Sequence, residues 1–235
     1  MSIATEITRI QQAKADIKTA IEAKGVTVPS SATIDTYDDY ISQISGGGGG
    51  GDTTTIAKLI DRSITSIDIP SGITSIGDGA FMGCTSLTSI DIPSGVTSIN
   101  RYAFETCSSL ASIDIPNGVT RICERTFYGC GSLTSIIIPS GVTNIDDSAF
   151  RYCSNITSFD IPSGVIGIAT YAFYGCTSLT SITINATNPP TLSNANAFNN
   201  TNNCPIYVPS SSVDTYKAAN RWRTHASRIQ AIPNS

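Results

Sequence analysis

Residues 87–107 read LTSIDIPSGVTSINRYAFETC and belong to a 23-residue repeat that occurs five times without an insertion or deletion. Three of its residue types return at that constant interval: Pro70, Pro93, Pro116, Pro139 and Pro162; Phe81, Phe104, Phe127, Phe150 and Phe173; Cys84, Cys107, Cys130, Cys153 and Cys176. When each repeat buries its apolar side only against its neighbours, equivalent positions must lie above one another. The spacing therefore predicts a stack of short coils.

The pattern within one repeat predicts its local structure. The leucine-rich spacing L-x-x-I-x-I of residues 87–92 predicts a short strand with its isoleucines facing inward. Residues 93–95 turn the chain, and residues 96–99 form a second extended piece. Residues 101–107 then form a tight helical or 3-10 turn over Phe104. The predicted fold class is a right-handed leucine-rich repeat solenoid of parallel short strands and helical or 3-10 turns, with a small N-terminal helical module.

Five of the seven cysteines occupy one repeat position, so the stack places them about 5 Å apart. That distance would allow a disulfide, but side chains in such a column run parallel instead of facing each other. Buried free thiols that pack as small hydrophobic groups are therefore expected. Cys123 and Cys204 complete no zinc-site spacing, because the only histidine is His225. We expect no metal and no cofactor.

The first 45 residues predict a small helical module. An apolar stripe with heptad-like spacing runs through residues 1–24 and favours association into three or four strands, a trimer being favoured. The stripe can equally pack on a second helix over residues 33–44, because three heptads are short for a coiled coil. Both hold if helical hairpins associate. The stripe consists of Ile3, Ile7, Ile10, Ile17 and Ile21.

Composition breaks divide the chain into four parts. Residues 1–45 form the attachment and oligomerisation module, and the consecutive glycines 46–51 form a flexible linker. Residues 52–204 carry the repeats, whose register breaks at Asn185. Residues 205–235 are expected to cap the solenoid, because an uncapped last repeat would expose apolar surface and open strand edges. The cap should contain a strand, a turn and a helix with apolar positions Val213, Tyr216, Trp222 and Ile229.

Charge and motif content exclude several classes of function. Charged residues make up 14% of the chain and the net charge is −4, without a basic stripe, so nucleic acid is not an expected partner. No apolar run approaches about 18 residues, so membrane insertion is not expected. The N-terminus lacks the pattern of a secretory signal. With one histidine and no G-x-S-x-G or Walker-type loop, an enzyme is not expected.

The repeats resemble the BspA-type (treponemal) leucine-rich repeats, whose pattern is AF-x-x-C-x-x-L-x-x-I-x-I-P-x-x-V-x-x-I. The matching residues are Ala103, Phe104, Cys107, Leu110, Ile113, Ile115, Pro116, Val119 and Ile122. The ending YVP-x-x-S-V-x-x-Y-K-x-A-x-x-W, residues 207–222, is also similar to that family's terminus. The resemblance covers about residues 56–235. It implies a surface or secreted protein that adheres to host proteins or cells, although the repeat itself specifies only a scaffold.

Residues 1–45 resemble a module at the start of structural proteins of gut bacteriophages, in which a helix, KGV-x-VP-x-x-A-x-I-D-x-Y and a glycine run recur. The residues that carry this resemblance are Lys24 to Pro29, Ala32, Ile34, Asp35 and Tyr37. It implies that one end of the chain attaches to a virus particle through other virion proteins, while the repeats are displayed at the other end.

Two surfaces of the repeats are candidate binding sites. At the turns, tyrosine and arginine, which are frequent binding anchors, replace other residue types and would form an outer patch. Alternatively, the tyrosines simply cover the turn. On the strands, a column of aspartates interrupted by Ile137 is expected to be solvated, with a bridging cation as the alternative. The turn patch comprises Tyr102, Tyr128, Arg151, Tyr152, Tyr171 and Tyr174, and the column comprises Asp68, Asp91, Asp114 and Asp160.

Taken together, these features predict a non-enzymatic phage virion appendage of the tail-fibre or head-fibre type. Its repeats would bind a protein or glycan on a bacterial surface, and several copies would make a weak contact avid. One alternative is a bacterial surface or secreted adhesin whose export signal is not part of this sequence. Another is a purely structural decoration protein of the capsid.

Overall fold

Short parallel strands from equivalent repeat positions form the framework of the fold. A computed structural model describes residues 55–56, 64–67, 69 and 71–233, so the predictions for residues 1–51 lie outside the described residues. The strands are β1 (Thr55–Ile56), β2 (Ser75–Ile76), β3 (Ser98–Ile99), β4 (Arg121–Ile122), β5 (Asn144–Ile145), β6 (Ser158–Ile161), β7 (Gly167–Ile168), β8 (Ser181–Ile184), β9 (Thr191–Leu192), β10 (Ile206–Val208) and β11 (Ile229–Ala231).

The strands pair in the register of the repeat. One sheet has the order β1-β2-β3, a second has β4-β5-β7-β9, and a third has β11-β10-β8-β6, with every pairing parallel. Ile145 lies opposite Ile122 on one side and Ile168 on the other, at steps of 23 residues. The second extended piece of each repeat is therefore confirmed.

The first extended piece of the repeat is shorter than predicted. Among the described residues it forms a full strand only in β6 and β8, whereas the pair Asp114 and Ile137 makes an isolated bridge. Within residues 87–92, Leu87 and Ile90 are buried as expected, but Ile92 is only half-buried. Burial of the inward side chains thus follows the repeat pattern more closely than strand hydrogen bonding does.

Buried phenylalanine rings form a continuous column through the repeats. Neighbouring rings from Phe81 to Phe198 have centroids 5.1–5.6 Å apart and are nearly parallel. All of them are at most 1% exposed. Parallel rings at this spacing are stacked aromatic pairs, each worth about 0.5–1.5 kcal/mol beyond the area they bury. The column confirms that equivalent positions of successive repeats lie above one another.

The turn after the second strand is not the helical or 3-10 turn expected from the sequence. In the regular repeats it is a run of hydrogen-bonded turns with two residues in the left-handed region, for example Gly79 (φ 62°) and Gly83 (φ 76°). Left-handed residues cannot continue a right-handed helix, so the turns stay separate. The only 3-10 helix at this position among the described residues is Ala195–Phe198, beyond the register break.

The C-terminal segment continues the third sheet and covers its end. After β10 come the 3-10 turn Ser210–Ser212, the helix α1 (Val213–Ala218), the 3-10 helix Trp222–Arg228 and β11. The prediction of a single helix here is therefore wrong, because Arg221 takes a left-handed conformation (φ 64°) and separates the two helical pieces.

Side chains of this segment bond to the chain before it. Trp222 Nε1 donates to the Pro190 carbonyl (2.7 Å), and the Tyr216 hydroxyl donates to the Ala186 carbonyl (2.7 Å). His225 is buried, with Nε2 2.9 Å from the Ala195 carbonyl, and burial lowers its pKa. These bonds give the histidine a role in packing.

Candidate binding surface

The turns of adjacent repeats are tied together by backbone hydrogen bonds. The Gly129 amide donates to the Arg151 carbonyl (2.8 Å), and the Tyr152 amide donates to the Tyr174 carbonyl (2.9 Å). These bonds hold neighbouring turns in register, in the same way as the strands are held. As a result, the residues that follow Phe127, Phe150 and Phe173 come from three successive repeats to one part of the surface.

Arg151 lies at the centre of a group of tyrosine rings. Its guanidinium carbon is 4.8 Å from the ring centroids of both Tyr152 and Tyr171, 5.0 Å from that of Tyr174 and 5.9 Å from that of Tyr128. All four distances are within the range of a cation–π contact, about 6 Å. We call these five residues the Arg–tyrosine cluster.

The rings of the cluster also support one another. Tyr128 packs edge-on against Tyr152, Tyr152 against Tyr174, and Tyr174 against Tyr171, with centroids 5.4–5.8 Å apart and interplanar angles of 81–89°. Asn200 donates from its amide to the Tyr174 hydroxyl (2.9 Å). Perpendicular rings leave ring faces in several directions, and Tyr152 remains 41% exposed.

Two tyrosines of the cluster have strained backbones. Tyr152 (φ 63°) and Tyr171 (φ 57°) are in the left-handed region. The position of Tyr152 is glycine in three other repeats, at Gly83, Gly129 and Gly175. A left-handed conformation costs a residue with a side chain about 1–2 kcal/mol. The same two positions are left-handed in every regular repeat, including Thr106, Arg125 and Ser148, so this conformation belongs to the turn and not to the tyrosines alone.

The charge of Arg151 has no carboxylate partner within the described part of the chain. Arg125, whose guanidinium carbon lies 5.0 Å from the Tyr128 ring centroid, forms an ion pair with Glu105 (3.2 Å). Arg151 instead donates from Nη2 to the Tyr152 hydroxyl (3.1 Å), and its Nε is buried without an acceptor. The cluster therefore holds a cation whose hydrogen-bonding capacity is only partly used.

Tyr102 is not part of the cluster. Of the six turn residues singled out from the sequence, the ring and cation contacts join five. Tyr102 donates from its hydroxyl to Glu124 Oε1 (3.1 Å), and this hydrogen bond raises the pKa of the phenol. Its backbone is left-handed like those of Tyr152 and Tyr171 (φ 59°).

A second surface, an open groove of about 580 Å³, was not predicted. Its walls carry the ion pair between Arg121 and Asp146 (2.7 Å), and Asp147 Oδ1 accepts from the Thr170 amide (2.7 Å). Ile166, which is 67% exposed, also lines it. The sequence feature that could have indicated this groove is Ile166, because the equivalent outward positions in four other repeats are threonine.

The strand face presents the aspartate column to solvent. Asp91, Asp114 and Asp160 are exposed, and Ile137 is 76% exposed. Within the described residues, no group of three or more histidine, cysteine, aspartate or glutamate side chains is placed to hold a metal ion. Asn185 donates to Asp160 at the end of the column.

The cysteine column is buried and consists of free thiols. Each described thiol from Cys107 to Cys176 donates to the carbonyl of the phenylalanine 26 residues earlier, at 3.1–3.2 Å. Burial raises the pKa of the Cys107 and Cys176 thiols to about 12. The expectation of free thiols agrees with this, and the hydrogen bonds show that they also link successive repeats.

This combination of 23-residue register, parallel strands and stacked phenylalanines defines a leucine-rich repeat protein. The model for the BspA type leucine-rich repeat region matches residues 60–166 and 143–230, with six copies. The chain belongs to the BspA-type leucine-rich repeat family. Repeat proteins of this kind are generally binding scaffolds without catalysis, and no catalytic family matches. None of the curated proteins matches the chain.

Solved leucine-rich repeat structures are similar to the chain. A leucine-rich repeat protein from T. pallidum is 22% identical, with 72% of this chain and 87% of that one covered and a TM-score of 0.54, which shows the fold alone. A leucine-rich cell surface protein from Faecalibacterium prausnitzii is 25% identical, with 76% and 55% covered and a TM-score of 0.50.

A protein from Bacteroides ovatus is 28% identical, with 61% of this chain and 47% of that one covered and a TM-score of 0.49. The chain thus spans about half the length of the structures from Bacteroides ovatus and Faecalibacterium prausnitzii. Among the described residues, no helix is both long enough and apolar enough to cross a membrane.

Proposed function

We propose that this chain is a non-enzymatic adhesive protein whose repeats form a right-handed solenoid that displays a binding surface to a protein or glycan on a cell surface. The Arg–tyrosine cluster carries the proposal. Tyrosine and arginine side chains, packed against each other and ordered in advance, are the residue types that most often anchor binding. The similarity to a cell surface protein of the same fold supports a place outside the cell.

The test is binding of the purified, labelled chain to intact cells. Replacing Tyr128, Arg151 and Tyr174 together by alanine should weaken binding about tenfold or more, because hot-spot side chains each contribute about 2 kcal/mol or more. The matched control replaces three exposed strand residues, Ser112, Asp114 and Ser135, by alanine. Thermal unfolding verifies that both variants fold. Unchanged binding of the cluster variant, with loss in the control, would move the site to the strand face.

A second candidate is the virion appendage, and the observation that favours it is the sequence of residues 1–45. The resemblance to phage modules and the glycine linker that follows suit a protein attached to a particle by one end. In this reading the module joins copies of the chain, as a trimer, through Ile3, Ile7, Ile10, Ile17 and Ile21. It also contacts other virion proteins.

Two measurements separate the candidates. Binding to bacterial cells but not to epithelial cells, together with capsid or tail genes beside the gene, favours the virion; the reverse favours a bacterial surface adhesin. Sedimentation of the full chain should give a trimer that Ile10→Asp and Ile17→Asp together convert to a monomer. A strict monomer at high concentration would contradict attachment in several copies. A chain that binds no cells would leave only a decoration protein.

A further inference from the structure

The described acidic groups around the Arg–tyrosine cluster already form ion pairs with other arginines. The Glu105 carboxylate, which is nearly buried, pairs with Arg125, and Asp146 pairs with Arg121. Arg151 therefore stands as the cation of this region without an opposite charge among the described residues. An ionised guanidinium held among aromatic rings is less hydrated than one in water, so an anion that reaches it gains a stronger interaction than it would at an ordinary surface site.

The hydrogen-bonding groups of the cluster are mostly donors. Arg151 uses Nη2 toward Tyr152, whereas no hydrogen bond from Nη1 occurs in the described part of the chain, and Arg151 as a residue is half-buried. The hydroxyls of Tyr152 and Tyr174 accept hydrogen bonds, from Arg151 and Asn200 respectively, so their own hydrogens remain available to donate. A ligand that fits these groups must offer acceptors, and preferably a negative charge.

The rings add an apolar requirement. Ring faces stand at right angles to one another around the guanidinium, and the exposed Tyr152 ring lies at the middle of the row. Aromatic faces of this kind bind flat, weakly polar groups, such as the C–H face of a sugar ring. All of these contacts lie within about 6 Å of one guanidinium carbon, which is the size of one sugar unit.

The charge of the surrounding repeats limits the ligand further. Residues 52–204 carry eleven acidic against six basic side chains, and Asp91, Asp114 and Asp160 are exposed on the strands. An extended polyanion, such as a nucleic acid or an acidic peptide segment, would be repelled by this field. A single carboxylate carried on an otherwise neutral unit would not.

We propose that the Arg–tyrosine cluster binds a sugar acid of a surface glycan, with the carboxylate on Arg151 Nη1 and the sugar ring against the tyrosines. This inference rests on the proposed function, because it names the ligand class of the same surface. The carboxylate meets the unpaired cation, the sugar hydroxyls accept from the phenols, and the C–H face packs on the rings.

The test is titration of the full chain with glucuronate and with N-acetylneuraminate, followed by ligand-observed NMR, with glucose as the neutral match of glucuronate. Binding of at least one sugar acid, and none of glucose, is expected. Arg151→Gln should weaken that binding about tenfold or more, and Arg151→Lys should fall between, because lysine keeps the charge but not the planar donor fork.

The matched control removes a neutralised arginine together with its partner, as Arg121→Gln with Asp146→Asn, and should leave binding within about twofold. Equal binding of glucose, equal binding by Arg151→Gln, or binding of a glutamate-rich peptide in place of both sugar acids would overturn the proposal. If the wild-type chain adheres to cells but ignores the sugar acids, this inference fails and the adhesive function stands. If it binds a sugar acid but no cells, the adhesive function fails.

Discussion

Each phenylalanine inside the column stabilises the repeats by stacking on the equivalent rings of its two neighbours. Phe127 has Phe104 and Phe150 on its two faces, at 5.6 and 5.4 Å, and is fully buried. Replacing it by alanine leaves a cavity in the middle of the column. We expect Phe127→Ala to lower the free energy of unfolding by about 3–5 kcal/mol, measured by urea denaturation. The exposed Ser112→Ala should change it by less than about 0.5 kcal/mol; an equal effect of both would contradict the column's role.

The cysteine column should make the free energy of unfolding decrease at alkaline pH. In the unfolded chain a thiol has a pKa of about 8.5, whereas burial raises the pKa of Cys107 to about 12 in the folded chain. Below the unfolded pKa both states hold the proton, so the full stability is present. Above it only the unfolded state releases the proton, so stability falls as pH rises toward the folded pKa.

We therefore expect the free energy of unfolding to decrease between about pH 8 and pH 10, with a slope near 1.4 kcal/mol per pH unit for each thiol that titrates. Urea denaturation across this range gives the slope. Cys107→Ala should reduce this slope by the contribution of one thiol, while Thr134→Ala, at an exposed position, should leave the slope unchanged. A stability that does not change between these pH values would show that the thiols titrate normally in the folded chain.

At the scale of the turn, one ring occupies the space above a glycine. A Cβ added to Gly175, which has a φ of +76°, would lie 2.6 Å from Cδ1 of Tyr152. We expect Gly175→Ala to destabilise the chain through backbone strain, about 1–2 kcal/mol, and additionally through this clash. Thermal unfolding measures both.

A double-mutant cycle separates the two causes. Tyr152→Gly removes the ring and relieves its own left-handed strain, so Gly175→Ala should cost less in that background than in the wild type. The difference measures the contact between the ring and residue 175. The same cost in both backgrounds would mean that the ring does not pack there.

The C-terminal element covers the end of the phenylalanine column. Trp222 packs on Phe198 (5.5 Å) and edge-on against Tyr216 (5.1 Å), and it is 1% exposed. We expect Trp222→Ala to destabilise the chain by about 3–5 kcal/mol. Hydrogen exchange should rise first in residues 186–233, because each repeat contacts only its neighbours. Exposed Arg223→Ala is the control, and faster exchange throughout the repeats would contradict a local effect.

At the scale of the whole molecule, the repeat should be removable as a unit. Deleting residues 72–94 takes out 23 residues and joins Ser71 to Gly95, which restores the sequence at the junction. We expect this chain to fold with strand and turn ladders intact, to melt at a lower temperature, and to keep the Arg–tyrosine cluster. Circular dichroism and thermal unfolding measure this.

The matched deletion, residues 72–91, removes three residues fewer and shifts the chain before the junction out of register with the repeats after it. It should therefore melt at a lower temperature than the 23-residue deletion. If both deletions fold equally well, the stack does not depend on the 23-residue register.

Much of this architecture was predictable because the repeat is a pattern of burial. Phe104, Cys107 and Val96 return at constant spacing, and each is buried where its equivalents are. The prediction of a helical turn was wrong because the sequence does not signal a left-handed conformation at residues such as Arg125 and Ser148, whose residue types usually avoid it. The single cap helix was wrong because Arg221 breaks it in the same way.

The candidate site was also predicted only in part from the sequence. Tyrosine and arginine at variable turn positions could be singled out from the sequence, but which of them touch could not. Tyr102 and Tyr171 occupy the same repeat position, yet Tyr171 packs on Arg151 and Tyr102 bonds to Glu124. The groove beside Ile166 was missed because its walls come from repeats whose side chains meet only after stacking.

What the amino-acid sequence determined by itself is the repeat: its length, its inward positions and the family to which the chain belongs. These follow from periodicity, since a coil that buries one side against its neighbours must repeat its apolar residues at one interval. Only the tertiary structure decided that Arg151 stands among four tyrosines without a carboxylate partner in the described residues. Apart from the adjacent Tyr152, neighbouring repeats bring these side chains together across about 20 or more residues of chain, and such long-range contacts depend on packing and not on local sequence.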